Sequence, residues 1–349
     1  MSNELNMFDM AGAPERPLDK VLHPKDVIFA NDLKMYFPIQ SGILKRTIGW
    51  VKAVDGVTFH IERGKTLGIV GESGSGKSTI GNCLIRTCVP TGGDVYYEGN
   101  NMKDLSKSAV RALRREITMI TQDPFSSLDP RMNVEDTVAE GVRIHKIIKN
   151  KKELEDMVVR QLELVGINPE YRFRYPHEFS GGQRQRISIA RALAMQPKFI
   201  ICDEVVSALD VSIQAQIIAL LMKLQDEMNL TYVFIGHDLS VVRFISDEVA
   251  VMYLGQFMEV SKSAELYDHP LHPYTQALIS ASPIPNPVRD RQRERILLEG
   301  EVPSPVNPPK GCNFCTRCKY ADSRCHEEKP VMKDVGDGHM VACHRVTGA

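Results

Sequence analysis

The chain has 349 residues, with 43 Lys+Arg against 44 Asp+Glu and a formal net charge of −1, which excludes a broadly basic nucleic-acid-binding protein. Hydrophobic residues make up 43% and charged residues 25%, close to the globular average, so the sequence can bury a core and is not generally disordered. Its length suggests about two domains.

No stretch approaches the roughly 18 consecutive apolar residues of a membrane-spanning helix. The strongest run, 217 to 222, is flanked by Gln216 and Lys223. A secretory leader is not expected either: Glu4, Asp9, Glu15 and Asp19 interrupt any apolar core near the start, and Pro14 and Pro17 break it further. The reading is a cytoplasmic chain opening with a flexible tail over residues 1 to 25.

Regular patterning begins after that tail. Residues 51 to 61 alternate, with Val57, Phe59 and Ile61 on one face and Thr58, His60 and Glu62 on the other, as in a half-buried strand. The continuous apolar runs at 66 to 70, 199 to 202 and 232 to 235 read as strands buried on both faces. Helical spacing occupies 134 to 165, 184 to 195 and 211 to 228, the last with Ile213, Ile217, Leu220, Leu221 and Leu224 on one stripe. Strands alternating with helices imply an α/β fold with a largely parallel sheet. Residues 249 to 260 read as a hairpin turning at Leu254 and Gly255. Beyond about 265 the pattern gives way to a proline-rich tract with Pro283, Pro285, Pro287, Pro303, Pro305, Pro308 and Pro309, which predicts a domain boundary or an appendage laid over a surface.

Two segments carry chemistry. Residues 71 to 79, GESGSGKST, fit G-x-x-x-x-G-K-[ST] through Gly71, Gly76, Lys77 and Ser78. Glycines let successive backbone N–H groups point into one concavity, and the N-terminus of the following helix adds partial positive charge, so the loop suits phosphates. Lys77 would reach the β- and γ-phosphates and Ser78 would ligate Mg²⁺. The loop follows an apolar strand and precedes helical spacing through Ile80, Leu84 and Ile85, so a chance match is the weaker alternative. The second segment, FIICDE at 199 to 204, is an apolar strand ending in two carboxylates. Asp203 would hold Mg²⁺ and Glu204 would polarise an attacking water; without a phosphate loop upstream they would read as a solvated strand end.

With SGGQ at 180 to 183, SALD at 207 to 210 and GHD at 236 to 238, the chain resembles the ATP-binding cassette (ABC) family of transport ATPases across residues 26 to 265. The resemblance implies a phosphate-loop NTPase fold with a mixed core sheet and a helical subdomain. It also implies an ATP site built from Gly71, Ser73, Gly74, Ser75, Gly76, Lys77, Ser78 and Thr79, with Mg²⁺ on Ser78, Gln122 and Asp203. Glu204, His237, Gln122 and Lys77 would be catalytic, and Asp210 would communicate across a dimer. Ser180, Gly181, Gly182 and Gln183 would contact ATP held by a partner subunit. Phe37, with Tyr36 as the alternative, would stack on adenine. Val205 and Gly236 stand where the family usually has proline and often has serine; neither change removes a catalytic group.

The segments 269 to 287, 300 to 312 and 341 to 344 are similar to the C-terminal region of ATPase subunits of oligopeptide and dipeptide importers, and 38 to 56 is similar to an insertion in one of their two paralogues. This implies two membrane permeases, a paralogous ATPase, a solute-binding protein, no nucleic acid, and a peripheral place on the cytoplasmic face of the membrane. Peptide is the implied solute. Nickel, glutathione or sugar are alternatives, as is a DNA-associated or regulatory cassette that moves no solute.

Five of the eight cysteines, Cys312, Cys315, Cys318, Cys325 and Cys343, fall within the last 38 positions. Reduced thiols are expected in the cytoplasm, and converging thiolates suit an iron–sulfur cluster or zinc. The resemblance points to Cys312, Cys318, Cys325 and Cys343 in a small Cys-rich appendage over 266 to 349, with Cys315 as the alternative ligand. A [4Fe–4S] cluster is the first expectation, Zn²⁺ the second and uncoordinated thiols the third.

Overall fold

The computed structural model describes residues 25–42, 45–122, 127–282 and 295–348. The expected tail up to residue 24 and Pro283, Pro285 and Pro287 lie outside these residues. The described elements are, in order, β1 (Asp26–Ser41), β2 (Arg46–Glu62), β3 (Thr66–Val70), α1 (Lys77–Leu84), β4 (Gly92–Tyr97), β5 (Asn100–Asn101), α2 (Lys107–Glu116) and β6 (Ile117–Ile120). Then come α3 (Val134–Ile144), α4 (Lys151–Leu164), α5 (Gly181–Leu193), β7 (Phe199–Asp203), α6 (Val211–Met228), β8 (Thr231–Gly236), α7 (Leu239–Ile245), β9 (Glu248–Tyr253) and β10 (Gln256–Lys262). The chain ends through α8 (Ser263–Asp268), α9 (Pro273–Ala281), α10 (Ser323–Glu327), β11 (Lys333–Asp334), β12 (Met340–Val341) and α11 (His344–Thr347).

Two sheets form the frame. One is four-stranded in the order β2-β1-β4-β5; the other is eight-stranded in the order β11-β12-β10-β9-β3-β8-β7-β6. In the larger sheet β9, β3, β8, β7 and β6 run parallel, and β10, β12 and β11 extend it antiparallel, so the sheet is mixed. All residues of β3, β7 and β8 are buried, which explains their unbroken apolar runs. β2 buries Val57, Phe59 and Ile61 while Thr58 and His60 are exposed, the alternation expected of a sheet with one wet face.

Leu254 and Gly255, both with positive φ, turn β9 into β10 as expected. Helical spacing at 134 to 165 is two helices. α3 stops at His145, and Lys146 takes a left-handed φ of 54° before Asn150 caps α4. The expected loss of pattern beyond 265 is also corrected: α8 and α9 occupy Ser263–Asp268 and Pro273–Ala281. α9 begins with Pro273 at its first position and His272 as cap, a position where proline costs the helix no hydrogen bond.

The C-terminal segment is bound tightly to the rest. Tyr274, Cys312, Phe314 and Cys315 belong to the same buried cluster as α3, α5, α6 and the outer face of β9. Glu259 on β10, with no exposed surface, accepts from the backbone N–H groups of Leu271 and His272 and pairs with His339 at 2.7 Å. A buried carboxylate requires such partners.

Candidate active site

The site lies where β3, β7 and β8 end. β3 leads into the glycine-rich loop, and two of its glycines are required by close approach. A Cβ on Gly71 would lie 2.1 Å from the carbonyl of Met252, and one on Gly76 would lie 2.0 Å from that of Ala53; both also have positive φ, of 153° and 108°. Gly76 is the left-handed cap of α1, whose N-terminus faces the loop interior.

Ser73, Gly74, Gly76, Lys77, Ser78, Thr79, Gln122, Glu204 and His237 line one cleft of about 350 Å³. Lys77 is buried, and its ammonium donates to the carbonyls of Gly71 at 2.8 Å and Glu72 at 2.9 Å. Burial lowers its pKa, opposed by the charges of Glu204, Asp203 and Glu72. Ser78 Oγ donates to Asp203 Oδ1 at 2.9 Å, so a hydroxyl and a carboxylate stand side by side. Burial raises the Asp203 pKa and the neighbouring Glu204 charge adds to this, while the Ser78 bond and Lys77 oppose it. Oxygen donors of this kind are what Mg²⁺ takes from a protein.

Glu204 stands opposite. Its carboxylate Oε2 accepts from Gln122 Nε2 at 2.7 Å and lies 3.6 Å from His237 Nδ1. Its backbone has a left-handed φ of 49°, stabilised by its N–H to the carbonyl of Ile235 at 2.9 Å and by Ser207 Oγ to its own carbonyl at 2.9 Å. Val205 is buried in the core, so that apolar contact anchors the turn at this departure from the usual pattern. Gly236 leaves little space, since a Cβ there would sit 3.0 Å from Val242 Cγ2.

Other expected residues fall elsewhere. Gly71 and Ser75 form the back of the loop; Ser75 ties it to the β9–β10 turn through Gly255 N–H at 2.9 Å. None of Ser180, Gly181, Gly182 and Gln183 lines the cleft. Ser180 caps α5, with Gln183 returning a bond to its N–H at 3.0 Å. Asp210 caps α6 by position but without a side-chain hydrogen bond. In the β1–β2 pairing Phe37 lies opposite Val51, which lines the cleft, whereas Tyr36 lies opposite Lys52 and donates its hydroxyl to Asp55. Directly opposed residues share a face, so Phe37 is on the cleft side and Tyr36 is not. The residues following Gln122 up to 126 lie outside the described residues.

Three lining residues carried no sequence signal for the site: Val51, Ala53 and Pro305. Pro305 arrives from the C-terminal tract, where its carbonyl accepts from Lys52 N–H at 3.1 Å.

Cys312, Cys315, Cys318, Cys325 and Cys343 converge on one small cavity of about 20 Å³, space for about one water. Burial pushes the Cys312 thiol up to about 12 and raises Cys315, Cys318 and Cys325, the state of neutral thiols. Among the described residues no three His, Cys, Asp or Glu side chains are spaced to hold a metal ion. The donor set suits a thiophilic metal, but the spacing does not close a coordination site, so this geometry does not carry the expected cluster. No described helix is long and apolar enough to cross a membrane.

Comparison with known proteins agrees with this geometry. The family model for "ABC transporter" matches residues 54–207, and that for "Oligopeptide/dipeptide transporter, C-terminal region" matches 258–325. The oligopeptide transport ATP-binding protein AppF of Bacillus subtilis is 53% identical over 319 residues, covering 91% of this chain and 97% of the relative. The dipeptide transport ATP-binding protein DppF of Escherichia coli is 48% identical, covering 91% and 93%. Among solved structures, the ATP-binding cassette MJ0796, a dimer in a post-hydrolysis state bound to ADP and Pi, aligns with TM-score 0.60 and 27% identity over 68% of this chain and 98% of its own. The chain therefore belongs to the ABC transporter ATPases, in the branch marked by the oligopeptide/dipeptide transporter C-terminal region.

Proposed function

We propose that this ATPase energises the import of peptides through two partner membrane permeases, lying peripherally on the cytoplasmic face of the membrane. The reading is carried by one observation: Lys77, Ser78, Gln122, Glu204 and His237 line the same cleft, with Asp203 bonded to Ser78 behind it, at the ends of the four adjacent parallel strands β3, β8, β7 and β6. Peptide as solute rests on the names of the relatives, which are oligopeptide and dipeptide transport proteins.

In this reading the loop N–H groups and Lys77 bind the phosphates, and Phe37 stacks on adenine. Ser78, Asp203 and Gln122 would hold Mg²⁺, which supplies charge neutralisation at the transferring phosphoryl group. Glu204 orients and deprotonates the attacking water, and His237 contacts the γ-phosphate. Ser180, exposed, and Gly181, Gly182 and Gln183, half-buried, at the start of α5 serve the site of a paralogous ATPase in a head-to-tail heterodimer, with Asp210 in the dimer contact. A solute-binding protein delivers the peptide, and nucleic acid has no part. Along the chain, residues 1–25 form the tail, 26–265 the cassette and 266–349 the branch-specific region.

The thiols of Cys312, Cys318, Cys325 and Cys343, with Cys315 as the alternative, would have to draw closer together to hold a [4Fe–4S] cluster or, second, Zn²⁺. Anaerobically purified protein should then absorb broadly near about 400 nm. Colourless protein with stoichiometric zinc would select the second metal, and metal-free protein would remove both.

Affinity capture of the tagged chain from gently solubilised native membranes tests the transport assignment. Two permeases, a second cassette ATPase and a binding protein retaining peptides are expected by mass spectrometry. Recovery with nucleic acid, or without any membrane protein, would overturn it.

A further inference from the structure

The second residue of the phosphate loop, Glu72, is gripped from three sides. Its carboxylate receives Arg317 Nη1 at 3.0 and 2.8 Å to its two oxygens. Its N–H donates to the hydroxyl of Tyr274 at 3.0 Å, and its carbonyl accepts from the Lys77 ammonium at 2.9 Å. Arg317 and Tyr274 both belong to the C-terminal segment, 245 and 202 residues away along the chain. Neither lines the cleft.

Arg317 is well placed for this contact. Its side chain is only 8% exposed, that of Glu72 26%. The guanidinium lies over the ring of Tyr253 at 5.9 Å and also donates to its hydroxyl at 3.4 Å. Tyr253 packs edge-on against Tyr274 and Phe314, so the aromatic cluster fixes the direction in which Arg317 points. The residue itself sits in the short helical turn Cys315–Arg317, between two of the converging cysteines.

A carboxylate in a loop that binds phosphate is an electrostatic liability. The loop gathers N–H dipoles and an ammonium to attract anions, and an uncompensated charge at its second residue opposes that attraction. A pair this sheltered from solvent is weakly screened by salt.

We propose that Arg317 is a positioning residue for ATP binding: it neutralises Glu72 and holds the first turn of the phosphate loop, with Tyr274 fixing the backbone of the same residue. The proposal rests on reading this loop as the ATP site and adds to it a remote determinant of affinity. Through Arg317 the branch-specific C-terminal segment sets how strongly the loop attracts phosphate.

Equilibrium binding of a fluorescent ATP analogue with Mg²⁺ to the full-length chain and its variants tests this. Arg317→Met should weaken binding about 3- to 10-fold, Arg317→Lys much less, and the double variant Arg317→Met/Glu72→Gln should recover most of the loss. Glu72→Gln alone should bind at least as tightly as the unchanged protein, which keeps the test decisive if Arg317→Met does not fold. Equal loss in the single and double variants, or weakened binding by Glu72→Gln alone, would show a scaffold role without charge compensation and overturn the proposal, as would unchanged binding by Arg317→Met. Lys77→Ala is the control: if the unchanged chain binds no nucleotide, or Lys77→Ala binds as well, the ATP assignment of the loop has failed instead.

Discussion

Gln122 and Glu204, 82 residues apart in sequence, are joined by a 2.7 Å hydrogen bond from the amide of one to the carboxylate of the other. Both residues line the cleft, brought together because β6 and β7, the strands leading to them, are adjacent and parallel. A ligand that draws Gln122 toward Mg²⁺ would break it and free Glu204 Oε2 for water. Glu204→Gln is therefore expected to retain ATP binding and to lower hydrolysis by about 10²- to 10⁴-fold in the assembled transporter, with accumulation of the closed ATPase dimer. Turnover measured in the reconstituted complex checks this, and a normal rate would remove Glu204 as general base.

The two aromatic candidates separate by face. Phe37→Ala should raise the KM for ATP by about 5- to 100-fold, the range of one lost base-stacking contact, with little change in melting temperature. Tyr36→Phe should do the opposite, lowering the melting temperature by removing the bond to Asp55 while leaving KM unchanged. Steady-state kinetics and thermal melts on both variants decide between them.

Asp203 is a buried acid whose pKa is raised by burial and by Glu204. An acid with a raised folded pKa favours the folded state at low pH, and that contribution is lost as pH rises through the folded pKa. Asp203→Asn should thus raise the melting temperature of the nucleotide-free protein near neutral pH, by a few degrees for about 1 kcal/mol. The same variant should abolish Mg²⁺-dependent hydrolysis. A lower melting temperature would mean that the Ser78 bond outweighs the burial of charge.

His272 is fully buried, caps α9 through Nδ1 accepting from Tyr274 N–H at 3.0 Å, and has its pKa lowered by burial from 6.5 to about 3. A base with a lowered folded pKa leaves the unfolded chain binding more protons between these values, so stability falls as pH drops from about 6.5 toward about 3. His272→Asn keeps a cap acceptor and removes the titration. Its unfolding free energy, followed by urea titration at several pH values, should decline less steeply with acid than that of the unchanged chain.

How much was legible beforehand depended on range. β3, β7 and β8 showed as apolar runs because both their faces are covered, and the loop showed because close approach and positive φ restrict Gly71 and Gly76 to one residue type. The break between α3 and α4 was hidden because residues 145 to 150, with Ile147 and Ile148 among polar neighbours and no glycine or proline, fit helical spacing as well as a turn. α9 was hidden by Pro270 just before it and Pro273 at its start, although Pro273 at a first helical position was a usable signal. The pairing of Glu72 with Arg317 had no local signature at all. Both are ordinary surface residue types, and only the packing of Phe314, Tyr253 and Tyr274 brings them together.

The last two strands of the larger sheet come from the last seventeen residues of the chain: β12 pairs Val341 with Glu259 and Met340 with Val260, and β11 continues outward from β12. A ribosome that has made everything up to β10 has therefore produced a sheet whose outer strand still offers unpaired N–H and C=O groups to any neighbouring chain. Strand closure waits for the segment that carries Met340 and Val341. Products cut short before Met340 should be disproportionately sticky and quickly degraded, so chains that lack this covering strand would be removed before they meet a membrane partner.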